Sequence, residues 1–192
     1  MNLILASSSS YRQALLRRLQ LPFTCESPDI DESPRAGETP VDLVRRLARE
    51  KAERIASRHT QAHVIGSDQV ASVDGLALGK PGTAENALAQ LSSCSGKTVV
   101  FETGLCLISP GGQTQVTSVP THVQFRQLES DLLSRYVELD QPLDCAGSFK
   151  CESLGIVLFE SLESKDPTAL EGLPLIALSE MLRIAGIEPL AM

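Results

Sequence analysis

Hydrophobic and polar positions along this chain switch between two periods, and the switches mark its elements. Leu3-Ile4-Leu5-Ala6 is a short unbroken apolar run and reads as a buried strand. Four serines, Ser7 to Ser10, interrupt it. Leu15, Leu16 and Leu19 then recur at helical spacing, with Arg12, Arg17 and Arg18 around them, until Leu21-Pro22 ends the helix. Phe23 to Glu26 predicts a second strand, and the Pro- and acid-rich segment "SPDIDESPRAGETP" a surface loop. Thr39-Pro40 supplies an N-cap and a proline at the first helical position, so a helix is expected to about Ser57. Its inner stripe is Val41, Val44, Leu47, Ala48, Lys51, Ala52 and Ile55; Lys51 is the odd member of an apolar face.

Val64-Ile65 predicts a strand that ends at Gly66, with Asp68 just beyond the end. Val70 to Val73 and Leu76 to Leu78 flank Asp74-Gly75, a strong hairpin signal. Thr83 caps a short helix with Ala87, Leu88 and Leu91 inward. Thr98 to Ser109 and Gln113 to Phe125, joined by Pro110-Gly111-Gly112, predict an antiparallel pair. Leu128 to Leu139 predicts a helix, Leu154 to Phe159 a further strand, "DPTALEGLP" a loop, and Leu175 to Ile184 the last helix. Helices interleave with strands, but the central hairpins require a mixed sheet.

Composition narrows the picture. With 192 residues and 42% hydrophobic content the chain can bury one real core. The net charge of −7 lacks the positive footprint of a nucleic-acid binder, and aromatics at 4% with no Trp give little to stack bases on. An anionic ligand must therefore be small and met by local cations or a metal. Five cysteines without CxxC spacing read as thiols of a reducing compartment. The opening apolar run is too short for a signal peptide and no stretch approaches a membrane span, so a cytoplasmic location without membrane contact is expected.

Several short stretches could carry chemistry, each beside a bland alternative. Serines between a strand and a helix offer hydroxyls and free amides to an anion, and Arg12 adds a fork that suits phosphate; the alternative is an ordinary serine cap. The stretch is no P-loop, since its glycines and its Lys-Ser/Thr pair are missing. Asp68 in "GSDQV" could hold a divalent metal or activate water, or simply sit in a turn. Lys80 in "LGKPG" is a fixed point charge or an exposed lysine. Asp29, Asp31 and Glu32 suit Mg²⁺ or are merely solvated. "CAGSFKCESLG", with Lys150 and Glu152, allows close approach to a flat ligand or is a core turn. His59 and His63 are spaced i, i+4 without the glutamate of HExxH, which disfavours zinc.

In serial order, "LILASSSSYRQALL", the Asp-Glu of "DIDESPR", "LAREKA", "IGSDQV", "GKP", "CSGK", "CAGSF" and "DPTALEGLPL" resemble the Maf-like nucleoside triphosphate pyrophosphatases over essentially the whole chain. "GSDQV" and "AGSFKCE" look like the bacterial 7-methyl-GTP branch; the dTTP/UTP branch is expected to have Asp-Thr in place of Asp68-Gln69. The resemblance implies a single domain over 1–192. Its fold would be an elongated mixed α/β sheet flanked by helices, in two lobes with a central cleft, related to the inosine triphosphatases. It implies a Mg²⁺- or Mn²⁺-dependent hydrolase that releases pyrophosphate from a nucleotide, often as a homodimer. Asp68 matches the proton acceptor; Ser7, Ser9, Arg12, Lys51 and Lys80 match phosphate-site positions. Glu32, with Asp68, matches the metal site, and Tyr11, Gln69 and Glu152 match positions linked to base selection. Two positions depart from the pattern: Gln13 stands where many members carry a second arginine, and Tyr11 where near relatives often have Trp. Alternatives are the same chemistry on UTP, dTTP or other modified nucleotides, or a septum regulator acting by binding a partner.

Overall fold

A computed structural model describes residues 2–191; the two terminal methionines of the expected 1–192 domain lie outside the described residues. The elements are β1 (Leu3–Leu5), α1 (Ser10–Arg17), β2 (Thr24–Cys25), α2 (Pro40–Ala56), β3 (His63–Val73), β4 (Leu76–Leu78) and α3 (Ala84–Cys94). They continue with β5 (Thr98–Ile108), β6 (Thr114–Phe125), α4 (Ser130–Asp140), β7 (Phe159–Ser164) and α5 (Leu175–Ile184). Among the described residues the strands form one seven-stranded sheet ordered β2-β1-β3-β5-β6-β7, with β4 on β3. Its first ladders, β1 with β2 and β1 with β3, are parallel; β3–β4 and β6–β7 are antiparallel. The mixed α/β sheet flanked by helices is thus the observed fold class. Among the described residues no helix is long and apolar enough to cross a membrane.

The chain divides into two compact units, the first comprising residues up to Gln69, Thr103–Val119 and Asp166 onward, the second Val70–Glu102 and Pro120–Lys165. In the first unit the two faces of the sheet follow strand alternation. Leu3, Leu5, Ile65, Leu105 and Leu107 pack with Leu15 and Leu16 of α1 and with Leu178, Met181 and Leu182 of α5. Their neighbours Ile4, Val64, Cys106 and Ile108 pack with Ala48, Ala52 and Ile55 of α2. Burial pushes the Cys106 thiol up to about 12, so it behaves as a small apolar side chain.

Two glycines govern how closely α2 lies on its face. A Cβ at Gly66 would collide with the carbonyl oxygen of Ala48 and reach Ala52 N at 2.9 Å; one at Gly104 would collide with the carbonyl of Val44. Strand β3 therefore does not end at Gly66 as expected. It runs unbroken to Val73, and the glycine marks a close backbone approach.

At the far end of this unit, the first turn of α5 follows Pro174, which provides no side-chain cap. The preceding segment supplies one. Thr168 Oγ1 accepts from Leu175 N at 2.8 Å, and Asp166 Oδ2 accepts from Ile176 N at 2.7 Å and Ala177 N at 3.2 Å. A buried carboxylate on helix amides is favoured by both hydrogen bonding and the helix dipole.

The second unit closes on phenylalanines. Phe101, Phe125, Phe149 and Phe159 meet edge to face at centroid distances of 4.8–5.5 Å. Asp74 and Gly75 both take positive φ, as the tight β3–β4 hairpin demands. The expected strand at Leu154 to Phe159 is a 3-10 turn over Leu154–Leu158, and strand β7 starts only at Phe159. Gly155 N donates to Lys150 O at 3.1 Å, and that bond winds the apolar run into a turn before it can pair.

Gly66→Ala is expected to destabilise the protein by about 2–3 kcal/mol in urea unfolding, because backbone must move to admit the methyl group. Gly79→Ala, at a position with open space around it, is expected to stay within about 0.5 kcal/mol of wild type.

Candidate active site

Strand alternation continues past Gly66 and sorts the side chains that follow. Asp68 shares the α2 face with Val64 and Gly66, while Ser67 and Gln69 share the opposite face with Ile65. On α2, Val44 lies over Gly104, and Ala48 and Ala52 over Gly66. This seating brings Lys51 beside Asp68. Lys51 Nζ donates to Asp68 Oδ1 at 2.7 Å and pairs with Glu32 Oε1 at 2.8 Å. Lys51 and Asp68 are 5% and 7% exposed, whereas the Glu32 side chain is 57% exposed. The buried pair therefore dominates, and Glu32 is a solvated arm that reaches in from the acidic loop.

The serine turn belongs to the same unit. Ser7 Oγ accepts from Ser9 N at 3.1 Å, and Ser9 caps α1 by accepting from Arg12 N at 3.4 Å. Ser9 thus serves the bland capping role and Ser7 closes a local turn ahead of it, while each hydroxyl retains a proton to donate. Tyr11 stands half-buried in the first turn of α1. Arg12 is fixed through one nitrogen, its Nε donating to Gly172 O at 2.8 Å. Burial pulls the Arg12 guanidinium below its ordinary value, while Asp68 and then Glu32 pull it back up. The residue stays charged at neutral pH.

Opposite α2, three side chains hold the 166–173 segment. Ser67 Oγ lies within donor reach of Gly104 O at 2.8 Å and Gly172 O at 3.0 Å. Gln69 Nε2 lies within donor reach of Thr103 Oγ1 at 3.0 Å, Ala169 O at 2.9 Å and Leu170 O at 3.1 Å. Thr103 Oγ1 donates to Ala169 O at 2.9 Å. No local sequence pattern marks Ser67 or Thr103, whose partners lie tens of residues away.

Structure thus gathers Lys51, Asp68 and Glu32 around one ammonium, with Arg12 in electrostatic reach, and builds the Ser7–Ser9 turn at the head of the helix that carries Arg12. Lys80 and Glu152 belong to the second unit. Lys80 is exposed in the loop after β4. Glu152 is exposed on a turn tied to the end of α4: Tyr136 Oη donates to Asp140 Oδ2 at 2.8 Å, Ser153 Oγ donates to Asp140 Oδ1 at 2.7 Å, and Lys150 Nζ donates to Asp140 O at 2.9 Å. Burial, and then the bond to Asp140, raise the Tyr136 hydroxyl well above its ordinary value. His59 is engaged elsewhere, with Glu26 at 2.7 Å.

Asp68 and Glu32 both lie within hydrogen-bond length of one nitrogen, so one cation can already touch both. Their oxygens suit a hard divalent ion. Among the described residues no three His, Cys, Asp or Glu side chains converge. A metal here would therefore take two carboxylates and fill its shell from substrate and water, which is how Mg²⁺ is commonly held.

An α/β fold of this kind is shared with a HAM1 protein from Coxiella burnetii, which superposes with a TM-score of 0.54 at 16% identity over 96% of this chain and all of that one. The sequence profile of Maf-like proteins matches residues 2–185, and the chain belongs to that family. A protein of Pseudomonas aeruginosa called 7-methyl-GTP pyrophosphatase is 57% identical over 97% of this chain and 98% of its own length. One of the same name from Alcanivorax borkumensis is 54% identical over 97% and 95%.

Replacing Lys51 by Met is expected to cost about 3 kcal/mol in urea unfolding, since it strands a buried carboxylate. Lys51→Met combined with Asp68→Leu is expected to recover most of that loss, and a double-mutant cycle measures the coupling.

Proposed function

We propose that this protein is a nucleoside triphosphate pyrophosphatase that hydrolyses 7-methyl-GTP to 7-methyl-GMP and pyrophosphate. The observation that carries the chemistry is the buried Lys51–Asp68 pair with Glu32 on the same ammonium. Support for the substrate comes from relatives of that name at 54–57% identity over nearly the whole chain.

In the proposed reaction the triphosphate becomes the partner of Lys51, which passes from the carboxylates to phosphate oxygens. Arg12, held through Nε, offers its terminal nitrogens to the same chain of charges, and the hydroxyls of Ser7 and Ser9 donate to it. Lys80 supplies a further cation. Asp68, released from its ammonium, accepts the proton of a water that attacks the α-phosphorus; the bond to the bridging oxygen breaks and pyrophosphate leaves. Asp68 and Glu32 would hold Mg²⁺ or Mn²⁺, which when bound neutralises phosphate charge and polarises the phosphoryl group.

Base choice falls to Tyr11 and Glu152, with any direct contribution of Gln69 limited to its carbonyl oxygen. N7-methylation makes guanine cationic, so a tyrosine face attracts it by about 0.5–2 kcal/mol. A carboxylate can accept from the ring N1–H and the exocyclic amine while offsetting that charge. Neither feature exists in uracil or thymine.

A panel of canonical and methylated nucleoside triphosphates, scored by pyrophosphate release, tests the reading; 7-methyl-GTP is expected to give the highest kcat/KM. Asp68→Asn is expected to lower kcat by roughly 10²–10⁴-fold with the fold intact by circular dichroism. Glu152→Gln is expected to shrink the preference for 7-methyl-GTP over GTP by roughly tenfold. An unchanged ratio would remove Glu152 from base selection.

A further inference from the structure

We propose that the 166–173 segment is a strap that holds the Arg12 guanidinium, and that Gln69 and Thr103 are positioning residues acting through it on polyphosphate binding. The inference rests on the nucleotide reading of the site.

The bonds form a continuous path. Gln69 Nε2 carries two protons and has three acceptors in reach, two of them the strap carbonyls of Ala169 and Leu170. Its nitrogen is therefore committed to the strap and has no donor left for a base. Thr103, 0% exposed, links Gln69 to the same Ala169 carbonyl. Two residues beyond Leu170, the carbonyl of Gly172 receives Arg12 Nε, with Ser67 Oγ also in donor reach. Gly172 has φ +106, a region that favours glycine and that turns the chain here. On its other side the strap is secured by Asp166 and Thr168 on the first amides of α5. The segment is thereby tied to α5 near its start by Asp166 and Thr168, to Gln69 and Thr103 at its middle, and to Arg12 near its end at Gly172.

The consequence is chemical. An arginine has five N–H donors in a rigid plane. Fixing Nε on a held carbonyl leaves the four N–H groups of the terminal nitrogens in a set plane, which favours bidentate binding of phosphate over a wandering point charge. Loss of Gln69 frees the Leu170 carbonyl and takes one donor from that of Ala169, and loss of Thr103 takes the other donor from Ala169; either loosens the strap that carries Gly172 and misaligns the guanidinium. The penalty falls on the phosphate chain and is the same for every base.

A base-free probe separates this role from base reading. Binding of inorganic tripolyphosphate with Mg²⁺ is measured by calorimetry for wild type, Gln69→Glu, Thr103→Val and Arg12→Lys, and for each strap variant combined with Arg12→Lys. Gln69→Glu sets a carboxylate against the Ala169 and Leu170 carbonyls, and Thr103→Val removes the hydroxyl without changing shape. Each is expected to weaken tripolyphosphate roughly ten- to a hundredfold, the scale of a misplaced binding group. Neither is expected to weaken it further once Arg12 is lysine, because lysine has no Nε to hold. For nucleotides, KM is expected to rise alike for 7-methyl-GTP and GTP, leaving their kcat/KM ratio unchanged. Full-strength tripolyphosphate binding by both strap variants would overturn the proposal, as would equal losses in the Arg12→Lys background. A wild-type protein that binds tripolyphosphate but cleaves no nucleotide would defeat the proposed reaction and leave this test readable.

Discussion

The first unit is organised by the distance of closest approach between α2 and the sheet. Helix and strand can come this near only where a strand residue has no Cβ, and β3 and β5 each provide one, at Gly66 and Gly104. Without them the helix would ride on side chains and Lys51 would be lifted from Asp68. With them a 2.7 Å ion pair forms in a nearly dry setting, where the Coulomb attraction is less screened than at the surface and offsets the desolvation of both charges. The same contact takes Ala48 and Ala52 into the core beside Ile4 and Val64. One packing constraint thus sets both a hydrophobic layer and the charge geometry of the site.

That constraint explains which features were legible in the sequence. Helices with ordinary caps and spacing, such as Thr39-Pro40 into α2 and the Asp74-Gly75 hairpin, are local events and are found as expected. So is the anomaly of Lys51, since a charge on an apolar stripe needs a counter-charge wherever it is buried. Gly66 misleads because a glycine that breaks a strand and a glycine that admits a neighbouring backbone read alike until the neighbour is known. The run from Leu154 to Phe159 misleads for a similar reason: five hydrophobic residues and one glycine fit a buried strand, but Ile156 and Val157 are exposed and the chain is wound by a bond from Gly155 to Lys150. Burial, not hydrophobicity, separates the two outcomes, and burial is set by distant parts of the chain.

The site residues divide along the same line. Asp68, Lys51, Glu32 and Arg12 are charged groups in stretches that stand out by composition. Ser67, Thr103 and the carbonyl of Gly172 are neutral groups, and the bonds that give them meaning join residues from 34 to 160 positions apart. Nothing at short range distinguishes such a serine or threonine from one that caps a turn, and a backbone carbonyl has no signature at all.

Strand alternation then assigns two opposed tasks to consecutive residues. Asp68 and Gln69 point to opposite faces, so the carboxylate meets α2 while the amide meets the strap. A charged partner on α2 balances Asp68, and neutral carbonyls receive Gln69. The contrast is physically consistent: the buried carboxylate of Asp68 is balanced by an ammonium, whereas an arginine that must remain open to an anion is better fixed by a dipole than by another charge. A carboxylate on Arg12 Nε would cancel the attraction the guanidinium is there to exert. A carbonyl holds the plane and leaves the positive charge for the ligand, and this is why the strap contributes backbone, and not an acid, at Gly172.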